Sequence, residues 1–262
     1  MLKICLLAVI VTLIMTNSQV AAAVDWNSVP RLNNRAELAT YIETGRRNGQ
    51  TEFNFILTYL TVNDGNELQN LSQELGNRIA SAPSSNLAVE TFGTGRFTYR
   101  VTKEYAGMRV ANAYINGNTS NLTSEEMQLY NIAVGIVNNA NGYSSEMDKA
   151  RYIHDEIRRT VQEFQDFTNP DAVGALVKRR TNCQGYSDAF YMLGRMCNLN
   201  VRMIGGSAVG NQGQWGNHQW NTITFNDGRT YFVDVTNGIF CVGRSVLQRD
   251  HTCEWDAITN LQ

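Results

Sequence analysis

Thr181-Asn182-Cys183-Gln184-Gly185-Tyr186-Ser187-Asp188-Ala189-Phe190 is the stretch that decides the fold of the second half of this 262-residue chain. It places a cysteine where a polar segment turns into an apolar run with helical spacing, which continues through Leu193 and Met196. A thiol at a helix start lies near unpaired backbone N–H groups and the positive end of the helix dipole. Both favour the nucleophilic thiolate. We therefore predict that Cys183 begins a helix and acts as a nucleophile.

Two side chains downstream supply the partners that such a nucleophile needs. His218 heads a strand-like run, and Asp234 lies near the end of the next one. A thiol, an imidazole and a carboxylate are the parts of a cysteine-nucleophile triad. The other histidines are weaker candidates, because His154 falls on a charged helix face and His251 in a polar tail.

The turn between the two runs decides whether His218 and Asp234 share a face. Side chains alternate along a strand, so the pairing register sets which residues meet. A two-residue loop at 226–227 or at 227–228 would place Asp234 on the face opposite His218. The triad would then fail on geometry alone.

A three-residue loop over 226–228 gives the opposite result. It pairs Phe225 with Arg229, sets Asp234 diagonal to His218 and puts both on one face. Such loops commonly end in a residue with positive φ, and Gly228 occupies that place. We therefore predict a three-residue loop closed by Gly228, and a contact between His218 and Asp234.

The charge pattern excludes several classes of function. The chain has 22 Lys and Arg against 24 Asp and Glu, and its formal net charge is −2. No basic cluster is present, which argues against nucleic-acid binding. No basic amphipathic stretch predicts a membrane-surface helix. The length suits one large domain or two small ones.

The first 23 residues have the pattern of a signal peptide. Lys3 precedes an apolar run over residues 5–15, and Ala21 and Ala23 form an A-x-A cleavage site after a polar stretch. The apolar run is too short for a membrane span, which needs about 20 residues. We predict cleavage after Ala23, a secreted or extracytoplasmic location and no transmembrane anchor after processing, as in an exported bacterial protein.

The cysteine count argues against a disulfide framework. The chain has 5 cysteines, and leader removal takes away one of them. If Cys183 is a free nucleophile, the three others cannot all pair within the chain. Cys241 and Cys253 are the plausible bridge, and Cys197 is predicted to be a small buried hydrophobe. A metal set of Cys241, His251 and Cys253 lacks any C-x-x-C pair, so neither a metal nor a cofactor is predicted.

The part of the chain before the triad residues is predicted to hold a separate α+β region of unknown role, over residues 24–125. Helices are expected over 35–46, capped by Asn34, and over 67–82. Strands are expected over 53–62, 87–92, 96–102 and 108–115. The polar loop 116–121 is the predicted boundary, and residues 126–262 are the predicted catalytic domain.

Further elements are predicted around the cysteine helix. Helices are expected over 124–138, with Thr123 or Ser124 as cap, over 145–164 and over 172–178. A strand is expected over 201–207, ahead of the hairpin. The fold class predicted from this order is α+β, with the cysteine helix packed on an antiparallel sheet that carries His218 and Asp234.

Three motifs together resemble the core of the transglutaminase-like superfamily, a papain-like fold. They are Asn182-Cys183-Gln184-Gly185-Tyr186, His218-Gln219-Trp220-Asn221 and Val233-Asp234-Val235-Thr236, in that order. The resemblance covers roughly residues 148–238. It implies Cys183 as nucleophile, His218 as base and acid, and Asp234 as the residue that orients the imidazole.

Two positions depart from the pattern of the family. Gln219 replaces an alanine found in many members, at a position that should point away from the site. Asn237 replaces a tryptophan found in many members, which puts contacts with the substrate in doubt but leaves the triad intact. Residues before the core do not contribute to the resemblance.

The function implied is cleavage or transfer at protein or peptide amide bonds through an acyl-enzyme. The substrate is expected to be a protein or peptide, including one associated with the cell wall. Tyr186, Trp215 and Trp220 are candidates for lining the substrate cleft, with a core position as the alternative for Trp220. No acidic cluster suggests a calcium site, which favours a peptidase or amidase. The alternative is a binding module at the cell surface that keeps this fold without turnover.

Overall fold

The computed structural model describes residues 24–164, 168–210, 213–253 and 262. The predicted signal peptide lies outside these residues. The chain divides into two compact units between Lys103 and Glu104. Across the described ranges, every helix is either too short or too polar to cross a bilayer.

The described part of the first unit is a mixed sheet with two helices. Its elements in chain order are β1 (Arg31–Leu32), α1 (Arg35–Arg47), β2 (Glu52–Leu57), α2 (Gly65–Arg78), β3 (Ser84–Val89) and β4 (Arg96–Lys103). The sheet order is β1-β2-β4-β3, with β1 parallel to β2 and the other pairs antiparallel.

Local capping and an apolar core explain this unit. Asn34 caps α1 through its side chain, as predicted, and Asp64 caps α2 in the same way. Phe53 and Phe55 of β2 and Phe97 of β4 are fully buried in one hydrophobic cluster. The predicted helices and the strands from β2 to β4 are therefore confirmed in type and order, and their ends differ from the predicted ones by up to five residues, at the end of β2.

The second unit contains the residues predicted to form the triad. Its described elements are α3 (Ala106–Ile115), α4 (Ser124–Ala140), α5 (Glu146–Thr160), β5 (Gln162–Glu163), a π-helix (Val173–Val177), β6 (Arg180–Thr181), α6 (Cys183–Met196), β7 (Asn200–Val209), β8 (Trp215–Thr224), β9 (Thr230–Asp234), β10 (Ile239–Val242), α7 (Arg244–Leu247) and β11 (His251–Cys253). The strand pair β5-β6 is parallel.

The strand predicted over 108–115 is wrong, because these residues belong to α3. The buried positions Ala106, Val110 and Ala113 recur at helical spacing of four and three, and the helix packs on α6. The division between the units therefore lies before α3, between Lys103 and Glu104, and not in the predicted boundary loop 116–121. The helix α4 begins as predicted, because Thr123 and Glu126 form a capping box.

The five-stranded sheet of the second unit is antiparallel and runs in the order β10-β9-β8-β7-β11. The helix α6 packs against β8 and β7 of this sheet. The prediction of an α+β class, with the Cys183 helix on an antiparallel sheet that carries His218 and Asp234, is therefore confirmed.

The hairpin of β8 and β9 has the predicted register. Phe225 and Arg229 pair across the turn, with the Phe225 N–H donating to the Arg229 carbonyl at 3.1 Å. The pairs continue through Thr224 with Thr230 to Asn221 with Val233. Gly228 closes the three-residue loop with φ of +82°. The turn therefore places Asp234 on the face of His218, as predicted.

A second glycine, Gly206 of β7, permits close packing of β11 and of the Trp220 ring against β7. A Cβ on Gly206 of β7 would lie 2.2 Å from the Thr252 carbonyl oxygen of β11 and 2.7 Å from the Trp220 ring of β8. A side chain at this position would push both neighbours away. The absence of one brings β11 and the Trp220 ring close to β7.

We expect Gly228→Ala to lower the free energy of unfolding by about 1–2 kcal/mol, because alanine is strained at positive φ. Gly216→Ala is the matched control, since it lies in β8 with no heavy atom within 4 Å of the added Cβ. Chemical denaturation of both variants measures the difference. Equal stability of the two would contradict the strained turn.

Candidate active site

Cys183 is the first residue of α6, as predicted, and its side chain is partly exposed. The buried Asn182 caps the helix, and its Oδ1 accepts the N–H groups of Gln184 and Gly185 at 3.1 and 3.4 Å. The backbone N–H of Cys183 belongs to the first turn, which has no partner within the helix. The Cys183 thiol and this backbone N–H therefore lie at the same end of α6.

The start of α6 is held tightly against its surroundings. A Cβ on Gly185 would lie 2.0 Å from Oγ1 of Thr181, so only glycine permits this approach. Ser187 donates its hydroxyl to the Trp220 carbonyl at 3.0 Å, and Asn221 donates its amide to the Ser187 carbonyl at 3.1 Å. These reciprocal bonds fix Cys183 relative to the strand that carries His218.

His218 and Asp234 are joined directly. Nε2 of His218 lies 2.8 Å from Oδ2 of Asp234, whose side chain is 0% exposed. A hydrogen bond between His218 and Cys183 also contributes to the protonation behaviour of the imidazole. Because Nε2 bonds the carboxylate, Nδ1 is the nitrogen left to face the thiol. The structure thus brings the three predicted residues together.

Asn237, one of the departures from the family pattern, belongs to this cluster. Its side-chain amide donates to Oδ2 of Asp234 at 2.7 Å, and its backbone N–H donates to Oδ1 at 3.3 Å. The residue follows β9 by one turn and is exposed. It holds the Asp234 carboxylate in place from the turn after β9.

The hydrogen bonds outweigh burial in setting the protonation of the pair. Burial acts to lower the pKa of His218, but the hydrogen bonds to Asp234 and Cys183 raise it to about 10. Burial acts to raise the pKa of Asp234, but the hydrogen bonds from His218 and His251 hold it well below its usual range. An imidazolium beside a carboxylate is therefore the favoured state at neutral pH.

A second buried group, Tyr105, connects the residues that flank the site. Its hydroxyl donates to Oε1 of Gln219 at 3.2 Å and accepts from Nε2 of Gln184 at 3.3 Å. Burial and then the charge of Asp188 raise the pKa of Tyr105, so the phenol stays neutral. Gln219 therefore has a partner of its own, away from His218.

Asp188 is a fully buried carboxyl group on the cysteine helix that sequence reasoning did not single out. Its Oδ2 accepts the backbone N–H groups of Gly107 in α3 and Ala172 before the π-helix, both at 2.9 Å. Burial and then the charge of Asp171 raise the pKa of Asp188 to about 7. A Cβ on Gly107 would lie 2.5 Å from its Oδ1, so the space around the carboxyl is closed.

The predicted cleft residues divide into three cases. Trp220 is 1% exposed and stacks on His218, with ring centroids 5.6 Å apart at 22°, so it is both a core aromatic and a support for the imidazole. Tyr186 is buried and donates its hydroxyl to the Val161 carbonyl at 2.9 Å, which gives it a structural role and removes it from the cleft. Trp215 is 54% exposed at the start of β8.

The predicted Cys241–Cys253 bridge is not formed. The two cysteines lie in β10 and β11, at opposite edges of the sheet. Cys197 is buried, as predicted. His154 is also buried, not exposed on the charged face of α5 as predicted, because its ring packs edge-on against Phe240.

His251 is the site residue that the sequence interpretation missed. It was placed in a polar tail, but it lies buried in β11 with its Nε2 at 3.1 Å from Oδ2 of Asp234. Among the described residues, His218, Asp234 and His251 form the group whose possible metal-ligand atoms lie within 4.8 Å of one another. Here these atoms are joined to each other by hydrogen bonds. The set considered from the sequence, Cys241, His251 and Cys253, is not the one that the fold brings together.

The comparisons with known proteins agree with this architecture. Residues 130–235 match the family model of the transglutaminase-like superfamily, a range that includes Cys183, His218 and Asp234. The resemblance found in the sequence is therefore confirmed, and the second unit contains a transglutaminase-like core. No curated protein sequence matches the chain.

Several solved structures are similar to this chain at low identity. The crystal structure of a TGase has 13% identity and a TM-score of 0.35 over 80% of this chain and 59% of its own. A provisionally assigned cysteine protease from Cytophaga hutchinsonii has 12% identity and a TM-score of 0.35, covering 67% and 69%. The periplasmic domain of TgpA from Pseudomonas aeruginosa has 9% identity and a TM-score of 0.34, covering 55% and 54%. The chain thus spans less than two thirds of the TGase and of the TgpA domain.

Asp234→Asn is expected to reduce the thermal stability most near pH 6. The raised pKa of His218 means that its stabilisation is complete below about 6.5 and is lost as pH rises through about 10. The lowered pKa of Asp234 means that its own contribution is present at pH 6. The gap in Tm between the protein and the variant should therefore narrow between pH 6.5 and 10.

The matched control for this measurement is Asp227→Asn. Asp227 lies in the same hairpin and pairs with Arg229, but it is exposed. Melting curves of both variants from pH 6 to 10.5 give the comparison. If the difference in Tm between Asp234→Asn and the unchanged protein stays constant with pH, the assigned pair of His218 and Asp234 is contradicted.

Asp188→Asn is expected to gain stability relative to the unchanged protein as pH rises. A buried carboxyl with its pKa raised to about 7 costs folding free energy progressively from about pH 3.8 to pH 7. Asparagine retains an oxygen for the two backbone donors and cannot ionise. Chemical denaturation at pH 4.5 and at pH 8 measures the free energy of unfolding of both proteins. If the difference between the two proteins is the same at both pH values, Asp188 does not titrate in this range.

Proposed function

We propose that this protein is an exported cysteine-nucleophile enzyme that acts on amide bonds of proteins or peptides. The observation that carries the proposal is the link through His218, which is bonded to Asp234 on one ring nitrogen and has the other for Cys183. Export is supported by the leader pattern of residues 1–23. The alternative of a silent binding module is disfavoured, because all three members of the link are present and in contact.

The first half of the reaction follows from this arrangement. The Cys183 thiolate attacks the amide carbonyl carbon and forms a C–S bond, and the carbonyl electron pair moves onto oxygen. We propose that the backbone N–H of Cys183, which belongs to the first turn of α6, stabilises that oxyanion. The His218 imidazolium then gives its proton to the departing amine as the C–N bond breaks, which leaves a thioester on Cys183.

The second half requires a nucleophile that takes the acyl group. Neutral His218 accepts a proton from water or from an amine as that group attacks the thioester. Water yields a free acid, and an amine yields a new amide. Either step breaks the C–S bond and restores the Cys183 thiolate beside the His218 imidazolium. Exclusion of water from the cleft favours transfer. We propose hydrolysis as the main outcome, since the sequence carries no acidic cluster of the kind that would suggest a calcium site.

We expect iodoacetamide at pH 6 to alkylate Cys183 and to spare Cys197 and Cys241. Burial raises the pKa of Cys197 to about 11 and that of Cys241 to about 12, so neither forms appreciable thiolate at this pH. Peptide mapping by mass spectrometry identifies the modified residue. Labelling that begins only above pH 8 would favour the silent module.

The matching activity test uses a glutamine-bearing protein with a fluorescent primary amine. Free acid or shortened peptides indicate hydrolysis, and amine incorporation indicates transfer. Cys183→Ala should abolish either product, whereas Cys197→Ala should retain it. Product formation that survives Cys183→Ala would overturn the proposed nucleophile.

A further inference from the structure

Asp234 has a second imidazole partner that the proposed reaction does not use. His251 lies in β11, which pairs with β7 at the edge of the sheet, and its side chain is 2% exposed. Its Nε2 lies 3.1 Å from Oδ2 of Asp234, and its Nδ1 lies 2.5 Å from Oδ1 of Asp250. Both ring nitrogens therefore face carboxylate oxygens.

The direction of these hydrogen bonds follows from the carboxylates. An ionised carboxylate can only accept, so each ring nitrogen that bonds one must carry a hydrogen. The pKa of Asp234 is held well below its usual range, so its carboxylate is ionised. His251 thus donates from Nε2 to Asp234.

The donation from His251 completes the restraint on the carboxylate. Oδ2 of Asp234 also accepts from His218 at 2.8 Å and from the Asn237 amide at 2.7 Å. These three donors come from β8, β11 and the turn after β9. Because they approach from different elements, the carboxylate cannot rotate away from His218 without breaking a buried hydrogen bond.

The Trp220 ring contacts the imidazoles of both His218 and His251. It stacks on His218 and meets His251 edge-on, with ring centroids 5.1 Å apart at 77°. The approach of β11 and of this ring across β7 depends on the missing side chain at Gly206. The contact between His251 and Asp234 is therefore built into the sheet.

We propose that His251 is a positioning residue for the reaction, which donates to Asp234 and so keeps His218 aimed at Cys183. This inference rests on the proposed function and deepens it. His251 bonds the Asp234 carboxylate, so it acts on His218 through that group.

The test compares two substitutions in the full chain that differ in where the donor lies. The amide nitrogen of His251→Gln can take the place of Nε2 and still donate to Asp234. That of His251→Asn falls near the place of Nδ1 and reaches only Asp250. The control is His154→Gln, since His154 is also buried and bonds a neighbouring aspartate, Asp155, but lies apart from Asp234.

The readouts are the kcat and KM of the activity assay and the pH dependence of Cys183 alkylation. His251→Asn is expected to lower kcat and the alkylation rate at pH 6 by about 10- to 100-fold, the scale of a hydrogen bond to a charged group, with KM unchanged. His251→Gln should restore most of both rates. His154→Gln should match the unchanged protein.

A fourth variant controls for misfolding. Asp250→Ala alters an exposed side chain, and it should lower the alkylation rate in the same direction as His251→Asn but by less. Side-chain ¹⁵N spectra give an independent check, because the chain has only 3 histidines and their signals can be assigned by substitution. The His251 Nε2 hydrogen should be visible in the unchanged protein and lost in His251→Asn.

Several results would overturn the proposal. Alkylation and kcat unchanged in His251→Asn would do so, as would equal losses in the asparagine and glutamine variants accompanied by equal losses of Tm. A stoichiometric transition metal that disappears in His251→Asn would assign the cluster to metal binding instead.

The proposed function can fail separately from this inference. If the unchanged protein forms no product, the amide chemistry fails, but alkylation and the ¹⁵N spectra still report on the contact between His251 and Asp234. If Cys183→Ala is inactive while His251→Asn is fully active, only the positioning role is lost.

Discussion

The ionised carboxylate of Asp234, buried without any exposure of its side chain, is the constraint on which the active-site half of this protein depends. An isolated buried charge is costly, and it is tolerated only where several donors surround it. Here the donors come from the adjacent strand β8, from the edge strand β11 and from the turn after β9. The folding of three separate segments is thereby coupled to one side chain.

The same arrangement explains why the cysteine helix and the sheet must be fitted so closely. The imidazole of His218 can reach the thiol only if α6 lies at a fixed height above β8. The bonds of Ser187 with the Trp220 carbonyl and of Asn221 with the Ser187 carbonyl set that height. Asp188 then anchors the outer side of α6 to α3 and to the segment before the π-helix. Buried hydrogen bonds thus set the position of α6 relative to β8, and the packing of apolar side chains holds the helix on the sheet.

What could be predicted from the sequence is what short-range rules decide. The start of α6 at Cys183 and the register of the hairpin depend only on residues a few positions apart, such as Gly228 in the turn. His251 was missed because its partner comes from a pairing of β11 with β7 that no local pattern announces. The short run Asp250-His251-Thr252-Cys253 has the composition of a polar tail, and only its pairing with β7 makes it an edge strand.

Other errors have the same origin. The residues of α3 were assigned to a strand, since a short apolar run does not reveal its period without the surface that it covers. Tyr186 was placed in a cleft because its neighbour is the nucleophile, whereas its direction on α6 takes the hydroxyl to the Val161 carbonyl. A bridge between Cys241 and Cys253 was inferred because the two are close in sequence. The order of the strands instead places them at opposite edges of the sheet.

The three-residue hairpin loop has a consequence for how related sequences can vary in length. Gain or loss of a single residue at 226–228 would turn every side chain of β9 to the other face of the sheet, unless a compensating bulge arose in the same strand. Changes by two residues would preserve the parity. Homologues that retain the aspartate should therefore differ in this loop by even numbers of residues, and an odd difference should coincide either with a bulge or with loss of the aspartate.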